Sequence, residues 1–279
     1  MTDRYAVVGH PIAHSKSPLI HGLFAKATGQ DMRYDAIDCG PDEAGFRAAV
    51  RDFREAGGLG LNVTLPFKLA ALRLADAASE DARLAGAANT LSFTQEGIRA
   101  RNTDGSGLVR DLTANLGVVL DGRRVLVLGA GGAARGIVLP LARAGAAALV
   151  VANRTATRAV ALVHELAPAG LPLQAVALDD LAGAGAFDVV INATSASLSG
   201  ATPAVPQAAF AAGALACDLV YGQGLTPFLA LARDAGVQQL ADGTGMLVEQ
   251  AAEAFAWWRG VRPETAAVRQ RLTVPLLAG

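Results

Sequence analysis

Short, continuous apolar segments separated by helical patterns constrain the fold more than any other feature of this sequence. Such segments occupy residues 125–128, 149–151 and 189–191, with a similar run at residues 215–219 that contains the single charged residue Asp218, and none of them alternates as a strand with one face in water does. Continuous apolar strands are typical of parallel sheets that helices cover on both faces. Because helical patterns fill the gaps between them, the sequence predicts a doubly wound α/β sheet in this part of the chain.

Strand and helix signals also alternate before residue 104. Strand patterns occupy residues 5–9, 32–38 and 59–64, and a hairpin is predicted over residues 89–101. Pro66 is predicted at the first position of the next helix, where the N–H that proline lacks is not needed. These patterns predict a second α/β domain.

The change in pattern near Asp104 predicts how the chain divides. We expect an N-terminal α/β domain over residues 1–103 and a doubly wound domain over residues 104–242, with a cleft between the two domains. The helical patterns in residues 243–279 predict C-terminal helices that pack back on the first domain.

The charge balance and the cysteine content exclude several function classes. The 279 residues include 24 Lys and Arg against 25 Asp and Glu, so the formal net charge of −1 excludes a dominant attraction to nucleic acid or to an anionic membrane. No apolar run reaches the ~18 residues of a membrane span, and the first residues lack the apolar core of a signal peptide. Cys39 and Cys217 are too few for a disulfide framework or a metal cluster, so we expect a reduced, cytoplasmic protein.

A glycine-rich turn follows the first of the apolar segments. Gly129, Ala130, Gly131, Gly132, Ala133 and Ala134 fit the pattern G-x-G-x-x-A between a strand and a helix. Gly129 allows the tight turn, Gly131 allows the backbone to approach a pyrophosphate, and Ala134 keeps the helix close to the sheet. A glycine-rich turn without a ligand is the alternative, but its place between strand and helix favours a Rossmann-type dinucleotide site.

The residues after the next strand indicate which dinucleotide is bound. An NAD site carries an acidic residue there for the ribose 2′-hydroxyl, whereas this chain has Asn153, Arg154, Thr155 and Arg158. Guanidinium and hydroxyl groups suit a 2′-phosphate, so the sequence predicts NADP. A helix cap at Thr155 with solvated arginines is an alternative that is compatible with this role.

Polar residues also gather on the predicted loops of the first domain, at residues 15–18, 62–68, 89–90 and 102–104. Their hydroxyl, amide, ammonium and carboxylate groups suit a ligand with several hydroxyls and a carboxylate. No grouping of His, Cys and Asp has the spacing of zinc ligands, and no G-x-S-x-G motif is present. His10, His14 and His21 are interpreted as packing or loop residues.

These motifs resemble those of the shikimate dehydrogenase family along the whole chain. The matching segments occur in the family's order: GHPIAHSKSP at 9–18, NVTLPFK at 62–68, GAANT at 86–90, NTDG at 102–105, the glycine turn at 129–135, NRT at 153–155, INATS at 191–195 and DGTGML at 242–247. The resemblance implies reversible, metal-independent reduction of 3-dehydroshikimate to shikimate by NADPH, in aromatic amino-acid biosynthesis.

The resemblance also implies roles for individual residues. Lys68 matches the catalytic lysine and Asp104 its partner. Ser15 and Ser17 match the pair that holds the substrate carboxylate. The other substrate contacts implied are Asn62, Thr64, Asn89, Tyr221 and Gln250, together with Lys68 and Asp104. The cofactor contacts implied are Glu80, Gly129, Ala130, Gly131, Gly132, Ala133, Asn153, Arg154, Thr155, Arg158, Leu219 and Gly243.

The sequence departs from the family pattern at a few places that concern the cofactor side. Ala196 and Ser197 stand where glycine is common, residues 219–222 vary around Tyr221, and Thr244 replaces a larger apolar residue.

The alternatives that stay open are a dual quinate/shikimate dehydrogenase and an NADP-binding regulatory protein without activity. A folate dehydrogenase fits poorly, and the chain is expected to be a monomer or a homodimer.

Overall fold

A computed structural model describes residues 2–167 and 170–276 of the chain, except the side chains of residues 198 and 199. Its contacts divide the chain into two compact units. The first unit comprises Met1–Gly107 and Val248–Val268, and the second comprises Leu108–Leu247 and Arg269–Gly279. The domain limits expected from the sequence, at residues 103 and 242, stay a prediction.

The first unit is built on a mixed six-stranded sheet in the order β2-β1-β3-β5-β6-β4. Strands β1, β2 and β3 are parallel, while β5 runs antiparallel to β3 and to β6. The strands are β1 (Asp3–Gly9), β2 (Met32–Asp38), β3 (Gly58–Val63), β4 (Ala77–Ala78), β5 (Thr90–Thr94) and β6 (Gly97–Arg101). The helices are α1 (Ser17–Thr28), α2 (Glu43–Glu55), α3 (Lys68–Leu74), α4 (Glu80–Ala85) and the start of α5 (Asp104–Arg110).

The second unit is built on a fully parallel six-stranded sheet in the order β12-β11-β10-β7-β8-β9. A π-helical turn, Asp111–Asn115, continues α5. The strands are β7 (Arg124–Leu128), β8 (Ala148–Asn153), β9 (Leu173–Ala177), β10 (Phe187–Asn192), β11 (Phe210–Asp218) and β12 (Gln239–Asp242). The helices are α6 (Gly132–Arg143), α7 (Ala156–Leu166) and α8 (Pro227–Asp234), followed by α9 (Thr244–Arg259), which continues into the first unit, and α10 (Ala266–Leu272).

The apolar segments of the sequence form the central strands of this parallel sheet. Leu126, Val150 and Val190 are at most 1% exposed, as expected for strands that are covered on both faces. Helices connect strands that are neighbours in the sheet, which confirms the predicted doubly wound α/β class. The sequence did not predict β9 and β12, the two edge strands.

The prediction for Pro66 is wrong. Helix α3 begins at Lys68, two residues later than expected, and the backbone before it forms a turn in which the Phe67 amide donates to the Thr64 carbonyl oxygen (3.1 Å). Pro66 therefore belongs to this turn, and Lys68 is the first helical residue.

Aromatic side chains fill one face of the sheet in the first unit. Trp258 of α9 stacks on Tyr5 with 4.8 Å between ring centroids, and its indole N–H donates to the Leu91 carbonyl oxygen (3.0 Å). His21 of α1 stacks on Tyr34 with 4.1 Å between centroids and an angle of 3° between the rings. These contacts fix α1 and α9 against strands β1 and β2.

His21 lies in this core as a neutral side chain. It has no exposed surface, and neither ring nitrogen has a hydrogen-bond partner among the residues that the structure describes. Burial lowers the pKa of His21 from 6.5 to about 3, because the charged imidazolium would lose its hydration. This agrees with its interpretation as a packing residue.

No helix in the described part of the chain has both the length and the apolar character that crossing a membrane requires.

The depressed pKa of His21 predicts how stability depends on pH. The unfolded chain takes up a proton near pH 6.5 and the folded chain only near pH 3, so the free energy of unfolding should fall as the pH drops through this window. The loss attributable to His21 is at most about 5 kcal/mol. Urea unfolding at several pH values should give a smaller pH dependence for His21→Phe than for the unchanged chain.

The matched control is His14→Gln, because His14 is an exposed loop residue. This variant should keep the pH dependence of the unchanged chain. Equal pH dependence in the His21→Phe variant and the unchanged chain would contradict the assignment.

Candidate functional site

Lys68 and Asp104 form a buried ion pair in the first unit. Each is the first residue of its helix, α3 and α5, and Lys68 Nζ lies 2.6 Å from Asp104 Oδ2. The two side chains are 14% and 7% exposed, so the pair is largely shielded from water. The structure thus brings together an ammonium and a carboxylate that are 36 residues apart in sequence.

Asn89 holds the carboxylate of this pair in place. Its Nδ2 lies 2.9 Å from Asp104 Oδ1, 3.0 Å from Thr103 Oγ1 and 3.2 Å from Gln250 Oε1. Its Oδ1 accepts from the Thr103 amide (2.8 Å). Asn89 therefore fixes the positions of Asp104 and Gln250, two of the residues predicted to bind substrate.

Asn62 supports Asn89 from the neighbouring strand. Its Nδ2 donates to the Asn89 carbonyl oxygen (3.3 Å) and to Thr90 Oγ1 (3.1 Å), and its Oδ1 accepts from the Tyr34 hydroxyl (2.6 Å). All polar atoms of the Asn62 side chain are thus engaged inside the protein. Sequence reasoning missed Tyr34, because nothing in the strand pattern of residues 32–38 indicates where its hydroxyl points.

The predicted carboxylate-binding serines lie on the loop after β1. Ser17 begins α1, and its amide donates to Ser15 Oγ (3.3 Å). Thr64 follows β3, which is parallel to β1, so both segments leave the sheet at the carboxyl ends of neighbouring strands.

In the second unit, the glycine turn has the predicted geometry. Gly129 has φ +106°, and its amide donates to the Ala152 carbonyl oxygen (2.8 Å), so a tight turn joins β7 to α6. Gly131 caps α6, and no atom lies within 4 Å of the position that a Cβ would occupy there. Ala134 is fully buried, which agrees with close packing of α6 on the sheet.

The residues after β8 present two free guanidinium groups. Arg154 and Arg158 are exposed, and neither forms an ion pair with any residue that the structure describes. Arg135, by contrast, is paired with Glu165. Thr155 occupies the N-cap position of α7, but its side chain does not cap the helix. The hydroxyl and both guanidinium groups are therefore available to an anion.

The remaining predicted residues are divided between the units. Leu219, Tyr221 and Gly243 belong to the second unit, and Glu80, an exposed residue, begins α4 of the first unit. A Cβ at Gly243 would overlap the Leu219 carbonyl oxygen, so this close approach requires glycine. Burial raises the pKa of Tyr221, whose hydroxyl is therefore a neutral donor.

A buried carboxylate that the sequence did not reveal organises the loops of the second unit. Asp218 Oδ2 accepts from Ser197 Oγ and Thr226 Oγ1, both at 2.6 Å. Its Oδ1 accepts from Asn192 Nδ2 and from the Val220 amide, both at 3.1 Å. Asp218 therefore joins the segments after β10 and β11 to the start of α8, and it gives the Ser197 hydroxyl a buried partner.

Family models match both units of the chain. The model for the shikimate dehydrogenase substrate binding domain matches residues 7–91, and the model for shikimate / quinate 5-dehydrogenase matches residues 111–210. The model for the shikimate 5'-dehydrogenase C-terminal domain matches residues 243–273. Together the three matches span most of the chain.

Individual relatives are similar over nearly the full length. The shikimate dehydrogenase (NADP(+)) of Nitrosospira multiformis is 56% identical over 265 residues, 95% of each chain. Shikimate 5-dehydrogenase from Thermus thermophilus, solved in complex with NADP(H) and shikimate, is 36% identical with a TM-score of 0.84, over 96% of this chain and 97% of that chain. The crystal structure of an Ael1 enzyme from Pseudomonas putida is 55% identical with a TM-score of 0.92, over 99% of this chain and 100% of that chain.

The Asp218 network predicts a large loss of stability when the carboxylate is removed. Asp218→Ala leaves four buried donors without their acceptor, so the free energy of unfolding should fall by about 3 kcal/mol or more. Urea unfolding followed by circular dichroism measures this loss.

The control is Asp234→Ala on α8, an exposed carboxylate that pairs with the adjacent Arg233. This change should alter the free energy of unfolding by no more than about 0.5 kcal/mol. Similar losses in the two variants would show that the buried network does not stabilise the unit.

Proposed function

The chain belongs to the shikimate dehydrogenase family, and we propose that Lys68 and Asp104 carry out its chemistry. It is an NADP-dependent oxidoreductase that reversibly reduces 3-dehydroshikimate to shikimate. The observation that carries the proposed residue roles is the ion pair of Lys68 Nζ and Asp104 Oδ2 at 2.6 Å, held by Asn89.

Lys68 is the proposed proton donor. Reduction of a ketone builds negative charge on the carbonyl oxygen, and this charge needs a proton donor within hydrogen-bond reach. An ammonium has three donors and can give up a proton, whereas a guanidinium keeps its proton. Lys68 can therefore donate to the ketone oxygen while the pair with Asp104 keeps its Nζ in place.

Asp104 is the proposed partner that orients the reacting hydroxyl. One carboxylate oxygen faces Lys68 and the other accepts from Asn89. The carboxylate can also accept from the substrate hydroxyl, which would align that group with Lys68.

The remaining substrate contacts are proposed for the residues around this pair. Ser15 and Ser17 offer hydroxyl donors for a carboxylate at the end of β1, and Ser17 is ordered by its place in the first turn of α1. For the ring hydroxyls we assign Thr64, Asn89, Gln250 and Tyr221, with Asn62 behind Asn89.

The residues at the glycine turn and after β8 fit NADP. The space beside Gly131 and the N-terminus of the twelve-residue helix α6 suit a pyrophosphate. Arg154, Arg158 and Thr155 suit the 2′-phosphate, because two guanidinium groups and a hydroxyl face no competing carboxylate in the described chain. When bound, NADPH supplies the hydride. The further cofactor contacts proposed are Glu80, Ala130, Gly132, Ala133, Asn153, Leu219 and Gly243.

The organisation of the chain is part of the proposal. We assign substrate binding to the N-terminal domain, residues 1–103, and NADP binding to residues 104–242, followed by helices in residues 243–279. A cytoplasmic location and a monomeric or homodimeric state are further proposals. Both cysteines are free thiols, which supports a reducing compartment. Assays of shikimate and quinate with NADP and NAD separate this function from a dual quinate/shikimate dehydrogenase.

Substitution of Lys68 tests the proposed chemistry. Lys68→Ala should lower kcat by about two to four powers of ten, because the proton donor is lost. The dissociation constant for NADPH should stay within about twofold of its original value. Lys68→Arg should be nearly as inactive, since arginine keeps the charge but does not release the proton.

The control for this experiment is Lys26→Ala, because Lys26 is an exposed lysine in the last turn of α1. This variant should retain full turnover. A Lys68→Ala variant that kept most of its dehydroshikimate-dependent NADPH oxidation would refute the assignment.

Substitution of Arg154 tests the choice of dinucleotide. Arg154→Ala should raise the dissociation constant for NADPH by about tenfold or more, which corresponds to the loss of one charge-assisted hydrogen bond. Binding of NADH should change little, because NADH has no 2′-phosphate. Fluorescence titration with both nucleotides measures the difference.

Arg233→Ala is the matched control, since Arg233 is an arginine of α8 that pairs with Asp234. This variant should keep the original affinity for both nucleotides. An equal loss of NADPH and NADH affinity in Arg154→Ala would count against recognition of the 2′-phosphate.

A further inference from the structure

Tyr34 supports the proposed substrate site from below the surface. Its hydroxyl donates to Asn62 Oδ1 (2.6 Å). Asn62 in turn supports Asn89, which holds Asp104 and Gln250. Tyr34 itself is buried and has no assigned role.

Tyr34 and Asn89 together hold the Asn62 amide in one orientation. With Oδ1 facing the phenol, Nδ2 faces the Asn89 carbonyl oxygen and Thr90 Oγ1. If the amide turned over, its oxygen would face the Asn89 carbonyl oxygen, and two acceptors would meet without a hydrogen atom between them. The Asn89 carbonyl oxygen therefore sets the orientation of the amide, and the phenol completes it by donating to Asn62 Oδ1.

The packing around Tyr34 prevents the hydroxyl from moving away. The ring stacks on His21 with 4.1 Å between centroids, and Trp258 lies 6.5 Å away on the same aromatic face. Burial raises the pKa of Tyr34 well above its usual value of 10, so the phenol keeps its proton and remains a donor. The sequence gives no hint of the hydrogen bond between Tyr34 and Asn62, because the two residues are 28 positions apart.

We propose that Tyr34 is a positioning residue for the substrate, which holds the Asn62 amide and, through it, Asn89. It acts through these residues and does not touch the substrate. The proposal rests on the function assigned above, namely that Asn89 binds shikimate. It predicts that removal of one oxygen atom, remote from the reacting groups, weakens substrate binding selectively.

The test is the variant Tyr34→Phe, which keeps the ring and removes the hydroxyl. The KM for shikimate should rise about tenfold, because the buried acceptor Asn62 Oδ1 loses its donor and no longer holds Asn89 as firmly. The value of kcat should stay within about threefold, and the KM for NADP should not change. Binding of shikimate to the purified, folded fraction should weaken by the same factor, whatever the yield of the variant.

Tyr5→Phe is a closely matched control. Tyr5 lies directly opposite Tyr34 in the parallel register of β1 and β2, and it is also buried, but its hydroxyl accepts from Arg259 (3.5 Å) instead of bonding to a residue of the proposed site. This variant should keep the original KM values and should show a similar change in melting temperature to Tyr34→Phe.

The combination with Asn62→Ala tests the connection itself. If Tyr34 acts through Asn62, the double variant should raise the shikimate KM by clearly less than the product of the two single effects. If the two single effects simply multiplied, the action of Tyr34 through Asn62 would be refuted.

The possible outcomes distinguish a failure of the Tyr34 inference from a failure of the assigned function. An unchanged shikimate KM in Tyr34→Phe, with a lower melting temperature only, would overturn the inference while the enzyme still turns over shikimate. Absence of shikimate turnover in the unchanged chain would instead overturn the assigned function. A parallel rise in the KM for NADP would identify a general structural effect and overturn the selective role of Tyr34.

Discussion

The hydrogen bond from Asn89 to Asp104 is the contact on which the rest of the proposed active site depends. A buried ion pair is favourable only when the lone pairs not facing its partner are also satisfied. Asp104 has one oxygen on Lys68 and the other on Asn89, so neither oxygen is left unbonded on burial. Without Asn89, the carboxylate would lose the partner of its second oxygen, and the position of Lys68 would be less closely defined. The Asn89 amide thus influences the proposed reaction indirectly, because it holds the Asp104 carboxylate that positions Lys68.

Both units use buried polar side chains to fix the loops that follow their strands. In the first unit, Asn62 and Asn89 join the ends of β3 and β5 to the segment that carries Asp104. In the second, Asp218 joins the segments after β10 and β11. Loops are mobile unless such contacts restrain them, whereas catalysis and binding require side chains held to a fraction of an ångström. The polar networks therefore give loop residues the order that the sheets alone would not supply.

The sequence predicted the central strands well and the connections between distant residues poorly. The segments at residues 125–128 and 189–191 are apolar throughout because both faces of their strands are buried, which leaves a clear local signal. The edge strands β9 and β12 lack that signal because they are half exposed. Tyr34 and Asp218 were missed for another reason: their partners are set by strand register and by loop closure, which no local pattern records. The pairing of Lys68 with Asp104 came from the family resemblance, since neither residue type is informative alone.

The distribution of basic residues follows the different chemistry of lysine and arginine. Lysine occurs only at positions 16, 26 and 68, so most positive charges in the chain are guanidinium groups. Composition bias explains that preference wherever the two residues serve equally well. At residues 154 and 158 a planar, permanently charged group suits a phosphate, and arginine is present. At residue 68 the proposed reaction needs a compact group that can give up a proton, and arginine would keep its own. Lysine rather than arginine at this position is what a requirement for proton transfer would produce.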